Sequence, residues 1–190
     1  MSETNEPSFR PLRLETQRLI LRHFQPSDLP TLLAYRNDPE VAKYQGWSSL
    51  TEAEAEAFIE TQRVRPVAVP HAWLQIALEL KSTGRHIGDL ALNVDGRRQA
   101  ELGYSLDRAF HGYGYATEAV AALLDFGFTH LRLHRMVART DVRNAASIQL
   151  LEHLSFRREG HCIENFYNKG EWTSEYLYAL LAREWREAQR

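Results

Sequence analysis

Residues 101–119, ELGYSLDRAFHGYGYATEA, carry an alternating strand pattern into two glycines and then straight into a helical pattern, with no linker between them. A strand that meets a helix through His111-Gly112-Tyr113-Gly114-Tyr115-Ala116 commits the chain to an α/β layout, because the helix must lie back against the sheet that its strand has just left. Glycine permits left-handed backbone angles, so the turn is tight and the unpaired N–H groups of the helix start converge where the helix dipole favours an anion. A pyrophosphate fits such a nest. A plain strand-to-helix turn uses glycine in the same way, and the segment alone leaves both readings open. A dinucleotide fingerprint fits poorly, since its third glycine would fall on Thr117 and the segment follows three antiparallel strands. No Gly-Lys-Ser/Thr follows, which excludes a P-loop.

The order of elements around this segment is legible from periodicity. Residues 12–24 alternate apolar and polar positions and read as one strand, followed by a turn at Pro26-Ser27-Asp28 and a short helix through Leu29, Leu32, Leu33 and Tyr35. Ser49 or Thr51 caps a second helix that runs to about Arg63, with Glu52 and Glu54 in its first turn. A hairpin follows from Trp73 to Asn93 around Ser82-Thr83-Gly84, and Asp95-Gly96 turns the chain into a strand from Ala100 to Leu106. Beyond the glycines come a long helix from about Gly114 to His130, a strand from Leu133 to Thr140 and a helix from Asn144 to Leu154. Two last strands, Phe156 to Tyr167 and Trp172 to Leu181, turn at Asn168-Lys169-Gly170. The expected fold is α/β (α+β), with antiparallel hairpins first and one parallel β-α-β unit in the second half.

Composition narrows the partners. The 190 residues, 44% hydrophobic and 25% charged, suit one domain spanning residues 1–190, with a flexible tail over about residues 1–10. Lys and Arg number 23 against 25 Asp and Glu, a formal charge of -2, so neither nucleic acid nor a membrane is an expected partner and any polyanion must be held locally. Cys162 is the single cysteine, which excludes an intrachain disulfide and every multi-cysteine metal site. The opening MSETNEPSFRPLRLE has no apolar stretch of signal-peptide length, and a soluble, cytoplasmic protein is expected.

Several motifs in order resemble one family. Leu14-Glu15-Thr16-Gln17-Arg18-Leu19, Glu101-Leu102-Gly103-Tyr104, Gly112 to Ala119, Asn144-Ala145-Ala146-Ser147, Gly160 and Gly170-Glu171-Trp172 are similar to those of the GNAT N-acetyltransferases, in the RimJ/RimL-like branch that acetylates ribosomal-protein N-termini. The resemblance implies a mixed, mostly antiparallel sheet flanked by helices and splayed at its one parallel pair, with acetyl-CoA in the cleft. It places the pantetheine arm along Tyr104, Ser105 and Leu106. The pyrophosphate falls on His111, Gly112, Tyr113, Gly114, Tyr115 and Ala116, with Thr117 assisting, while Asn144 and Ser147 lie near the sulfur. His111 stands where glutamine or arginine usually begins the phosphate motif, Ser155 where a glycine is common, and Leu151 where many relatives carry a tyrosine proton donor.

The implied reaction is direct attack of a primary amine on the thioester, with a protein or peptide N-terminal α-amine as the expected acceptor. An α-amine deprotonates roughly two pKa units more easily than lysine, which favours it where carboxylates are dispersed along the chain. Glu101 and Glu164 are the candidate bases, although a strand carboxylate is commonly a solvated surface residue. Ser147 is the candidate partner of the leaving thiolate, and the same residue also suits the first turn of a helix capped by Asn144. A strand N–H near Ser105 or Leu106 is expected to polarise the thioester carbonyl. Cys162 reads as a packed small hydrophobe, and His130 and His134 straddle a helix end, so no metal is proposed. A CoA-binding sensor without catalysis and an acetyltransferase of small-molecule amines are the alternatives, and a monomer or a homodimer is expected.

Overall fold

A computed structural model describes residues 11–189, and the tail expected over residues 1–10 lies outside them. In chain order the strands are β1 (Arg13–Glu15), β2 (Leu19–Arg22), β3 (Leu74–Leu80), β4 (Arg85–Val94), β5 (Gln99–Leu106), β6 (Arg135–Asp141), β7 (Arg157–Asn168) and β8 (Glu171–Leu181). The helices are α1 (Leu29–Arg36), α2 (Pro39–Ala42), α3 (Glu52–Arg63), α4 (Tyr115–Thr129), α5 (Ala145–His153) and α6 (Ala182–Ala188). All strands join one eight-stranded sheet in the order β1-β2-β3-β4-β5-β6-β8-β7. Every neighbouring pair is antiparallel except β5 and β6.

The single strand expected over residues 12–24 is instead a hairpin. Thr16 N–H bonds to the Leu19 carbonyl at 3.0 Å, and Leu14 then lies opposite Leu21. A tight reversal keeps side-chain parity across the turn, so the alternation reads the same for a hairpin as for a continuous strand.

Both faces of the sheet centre are covered, which is why β3 and β4 read as nearly unbroken apolar runs. One face packs Leu21, Ile76, Leu78, Leu90 and Leu92 against Ala119, Val120, Leu123 and Leu124 of α4. The other packs Ala77 with Phe24, Leu32, Tyr35, Ala55 and Ile59, beneath α1 and α3. Thr51 and Glu54 form the capping box that starts α3, and Arg63 sits in its last turn.

One position fixes the distance between β4 and β5. A β-bulge near Leu78 leaves Gly88 opposite Leu106, and a Cβ on Gly88 would lie 2.3 Å from the Ser105 carbonyl oxygen and 2.8 Å from Leu106 Cα. Backbone cannot step aside as a side chain can. Gly88→Ala is expected to destabilise the fold by about 2–4 kcal/mol in denaturant unfolding, by forced separation of the two strands. Gly103→Ala is its control, since a Cβ there meets only Ala91 Cβ at 3.6 Å. Equal midpoints for the two variants would contradict this account of the strand spacing.

Candidate active site

The parallel pair β5–β6 holds for three positions, Gln99 with Arg135, Ala100 with Met136 and Glu101 with Val137, and then the strands part. Each keeps its other neighbour: Leu102–Leu106 stay on β4, and Ala138–Asp141 stay on β8. The exposed edge of β5 is defined by two carbonyls, of Tyr104, which accepts from Gln45 Nε2 at 3.3 Å, and of Leu106, which accepts from His111 Nε2 at 3.0 Å. Peptide groups alternate along a strand, so Leu102, Tyr104 and Leu106 turn theirs to the gap while Gly103 and Ser105 turn theirs to β4. An oxyanion donor on this edge is therefore an N–H of Tyr104 or Leu106, and the Ser105 N–H faces away.

A cleft of about 720 Å³ opens from this gap. Tyr104, Ser105, Leu106, His111, Gly112, Gly114, Tyr115, Ala116, Thr117, Asn144 and Ser147, all expected to hold the cofactor, line it. Tyr113 does not. Its side chain is 63% exposed, and its carbonyl points back to the fold. Gly112 and Gly114 have φ of 81° and 77°, and Gly114 caps α4 without a side chain, which leaves the first N–H groups of that helix free for an anion. A Cβ on Gly112 would meet nothing within 4 Å, so backbone conformation rather than crowding accounts for that glycine.

Three residues that the sequence reading left without a role hold this turn in place. Glu118 Oε1 accepts from Thr16 Oγ1 at 2.5 Å and from Arg18 N–H at 2.8 Å, and its Oε2 accepts from Arg18 Nε at 2.6 Å. Arg18 Nη1 in turn donates to the Tyr113 carbonyl at 2.8 Å, and the guanidinium lies 4.5 Å over the Tyr115 ring. Burial alone would raise the Glu118 carboxyl, but the bonds from Thr16 and Arg18 outweigh it and hold the group below its ordinary range. An acidic residue in the first turn of a helix is a visible signal; its partners on a distant hairpin are not.

Across the cleft, Asn144 Oδ1 accepts from the Ser147 N–H at 3.1 Å and caps α5. The Ser147 hydroxyl pairs with the Tyr104 hydroxyl at 2.7 Å. Burial pushes the Tyr104 phenol up to about 12 against the opposing bond from Ser147, so it keeps its proton at neutral pH. Leu151 is fully buried in the core. Ser155 takes the left-handed conformation at φ 65°, which in a non-glycine residue costs about 1 kcal/mol.

The two candidate bases part company. Glu101 sits at the vertex of the gap, and strand parity places it with Arg139 and Glu175 on the face of the sheet opposite Tyr104. Burial raises the Glu101 carboxyl, Arg139 Nε at 3.8 Å opposes that rise, and Glu175 adds to it. Asn93, its cross-strand neighbour, has a buried Oδ1 with no hydrogen-bond partner. Glu164 instead lies exposed at φ 43° in a bulge of β7, its N–H bonded to Ser174 Oγ at 2.9 Å, and it does not line the cleft. The structure thus brings Ser147 to Tyr104 and keeps Glu101 at the vertex of the gap, while neither Glu101 nor Glu164 is among the residues that line the cleft. Cys162 is half-buried opposite Glu175. Among the described residues no cluster of three or more His, Cys, Asp or Glu side chains could hold a metal ion, and no helix is long and apolar enough to cross a membrane.

Residues 18–157 match the acetyltransferase (GNAT) domain family. Over 174 residues the chain is 35% identical to the uncharacterized N-acetyltransferase p20 of Bacillus licheniformis, covering 90% of this chain and 97% of that one. The crystal structure of an acetyltransferase (GNAT family) from Bacillus anthracis superposes with a TM-score of 0.82 at 26% identity, covering 91% of this chain and 100% of the other. Two more distant likenesses differ in acceptor. The ribosomal protein uS5-alanine N-acetyltransferase of Escherichia coli is 31% identical over 84 residues, 44% of this chain and 43% of that one. The spermidine N-acetyltransferase of Vibrio cholerae, crystallised with CoA and spermine, shares the fold at a TM-score of 0.78 and 22% identity, covering 90% of this chain and 99% of the other.

The clamp predicts a linked loss. Glu118→Ala should weaken CoA binding about tenfold, measured by calorimetry, because the turn loses its brace. It should also lower stability at pH 7 by about 1–3 kcal/mol. A carboxyl held low when folded stabilises above its ordinary range and ceases to as pH falls through its folded value, so the gap to wild type should close below about pH 4. A pH-independent gap would assign the loss to packing.

Proposed function

The chain belongs to the GNAT acetyltransferase family, and we propose that it transfers an acetyl group from acetyl-CoA to the α-amine of a protein or peptide N-terminus. The cleft suits the donor: a glycine nest with free helix N–H groups takes a pyrophosphate, and an unpaired strand edge takes the amides of a pantetheine arm. Acetyl-CoA when bound supplies an activated acetyl thioester and a thiol leaving group.

The chain's own groups divide the remaining work. The N–H groups of Tyr115, Ala116 and Thr117 hold the phosphates, and the edge N–H of Tyr104 or Leu106 polarises the carbonyl to be attacked. Glu101, with its raised carboxyl, takes a proton from the incoming ammonium directly or through water. The Ser147 hydroxyl donates a hydrogen bond to the sulfur, with the Tyr104 hydroxyl orienting it. A phenol at about 12 is a far weaker acid than a thiol of roughly 8.5, so this pair stabilises a thiolate rather than protonating it. The core position of Leu151 therefore does not call for a non-catalytic sensor.

One observation carries the choice of acceptor. Arg139 lies 3.8 Å from Glu101 and offsets one of the two charges of Glu101 and Glu175, so the vertex keeps one net negative charge, which suits one ammonium better than the several of a polyamine. A peptide N-terminus brings one ammonium, for Glu101, followed by carbonyls that a guanidinium can donate to.

The acceptor is tested by assaying N-terminal peptides with varied first residues beside spermidine, free amino acids and lysine side chains in N-terminally blocked peptides. At least one peptide should exceed every small amine in kcat/KM by about tenfold. Faster turnover of spermidine than of every peptide would overturn the acceptor. Glu101→Gln should lower the neutral-pH rate by about 10²-fold, with the deficit shrinking as rising pH deprotonates the free amine. A deficit constant between pH 6 and pH 10 would make Glu101 a positioning residue.

A further inference from the structure

A second cavity, of about 530 Å³, lies at the far end of α4, between its C-terminal turn, the start of β6 and α6. It is within the size range of small-molecule sites. Arg98, Arg132 and Arg186 line it above an apolar floor of Phe128, Leu133 and Trp185. Other arginines at this end of the sheet are paired, Arg135 with Glu159 at 2.5 Å and Arg157 with Glu159 and Glu184. Among the described residues the three arginines of the cavity join no ion pair. Arg98 Nε donates to the Arg132 carbonyl at 2.9 Å and Arg186 Nε to the Ala182 carbonyl at 3.1 Å, which covers the carbonyls near the helix ends and leaves most guanidinium donors uncommitted. Asp125 is the one acid in the lining, and its Oδ1 accepts from Trp185 Nε1 at 2.7 Å. Three guanidinium groups against one carboxylate leave a net charge of two.

Backbone conformation explains how the two arginines come to this cavity. Arg98 and Arg132 both have left-handed φ, 65° and 53°, where glycine or asparagine would be less strained. Arg98 closes the turn between β4 and β5 and Arg132 the turn that ends α4, so two tight turns present both guanidinium groups at one end of the sheet.

We propose that this cavity binds an organic dianion, a phosphate monoester or a dicarboxylate with an apolar body, at a site separate from the acetyl-transfer cleft. Guanidinium forks match the oxygens of either anion, and Phe128 and Leu133 take the apolar part. The glycine nest at the other end of α4 lies about 20 Å away along the helix, so the two sites do not compete.

Phenyl phosphate and benzylmalonate serve as the two probes, each titrated into the full chain with and without saturating CoA and followed by NMR shifts. At least one should bind saturably with a Kd below about 5 mM, unchanged by CoA and weakened by added salt. Which probe binds separates the phosphate source from the dicarboxylate source. Arg132→Asn keeps the carbonyl that Arg98 uses and suits left-handed backbone, so its melting temperature should hold while affinity falls about tenfold. Arg186→Gln should act in the same direction. No saturable binding by either probe, binding abolished by CoA, or affinity indifferent to both substitutions would overturn the proposal.

Discussion

The short parallel contact between β5 and β6 is the constraint from which the site follows. Parallel neighbours require a crossover, and here the crossover is α4, which must begin beyond the end of β5 and return the chain to the start of β6. The helix N-terminus is thereby delivered to the end of the sheet where the two strands have already separated. Unpaired strand edge and unpaired helix N–H groups come together as consequences of one topology, and a ligand with both amides and phosphates can engage both. Full pairing of β5 with β6 would close the gap, leaving the glycines as a turn with nothing to cradle.

Keeping the gap open requires both halves of the sheet to be firm without each other, and buried polar contacts contribute to this on the β4 side. Arg22 meets Asp28 at 2.7 Å and Glu79 at 2.6 Å, fixing the entry to α1 against β2 and β3. Arg36 meets Asp89 of β4 at 3.0 Å and lies 4.0 Å over the Trp47 ring, while Trp47 Nε1 returns a bond to the Arg36 carbonyl. That arrangement holds the segment carrying Gln45, whose amide reaches the open edge at Tyr104. Removing one partner of such a pair leaves an uncompensated buried charge, so these residues specify position more than they add stability. The Thr16–Arg18–Glu118 clamp plays the same part on the cofactor side, and Lys169, which donates to the Ala42 carbonyl, ties the same segment to the last hairpin.

Local rules made much of this legible from the amino acids. Thr51 with Glu54, Asn144 ahead of Ser147 and Gly114 ahead of Tyr115 are helix starts whose chemistry is complete within four residues, and all three stand where the pattern put them. Pairings across long separations were not legible. Nothing in the pattern ties Arg18 to a carboxylate 100 residues on, or Tyr104 to a serine 43 residues on. Glu101 and Glu164 were equals as strand carboxylates, and sheet order separated them, Glu101 on interior strand β5 and Glu164 in a bulge of the exposed edge strand β7. Bulges alter parity without altering composition. The four-residue α2 and seven-residue α6 escaped notice because so few residues cannot establish a helical period.

Strand parity also gives the proposed reaction its direction. Glu101 and Tyr104 are three positions apart on one strand, an odd separation, so their side chains leave opposite faces of the sheet. Burial raises both groups, with opposite consequences. A raised carboxyl holds a proton more firmly and so accepts one from an ammonium more readily, whereas a raised phenol keeps its own proton and acts as a fixed hydrogen-bond donor. In the roles proposed for these groups, proton removal and thiolate stabilisation fall on opposite sides of a wall one strand thick. In the proposed reaction the amine therefore meets Glu101 on the face of α1 and α3, and the sulfur meets Ser147 and Tyr104 on the face of α5. Any residue between them that exchanged its parity, through a bulge in β5 between Leu102 and Gly103, would bring both groups to one face. The unbroken register of β5 against β4 is what keeps them apart.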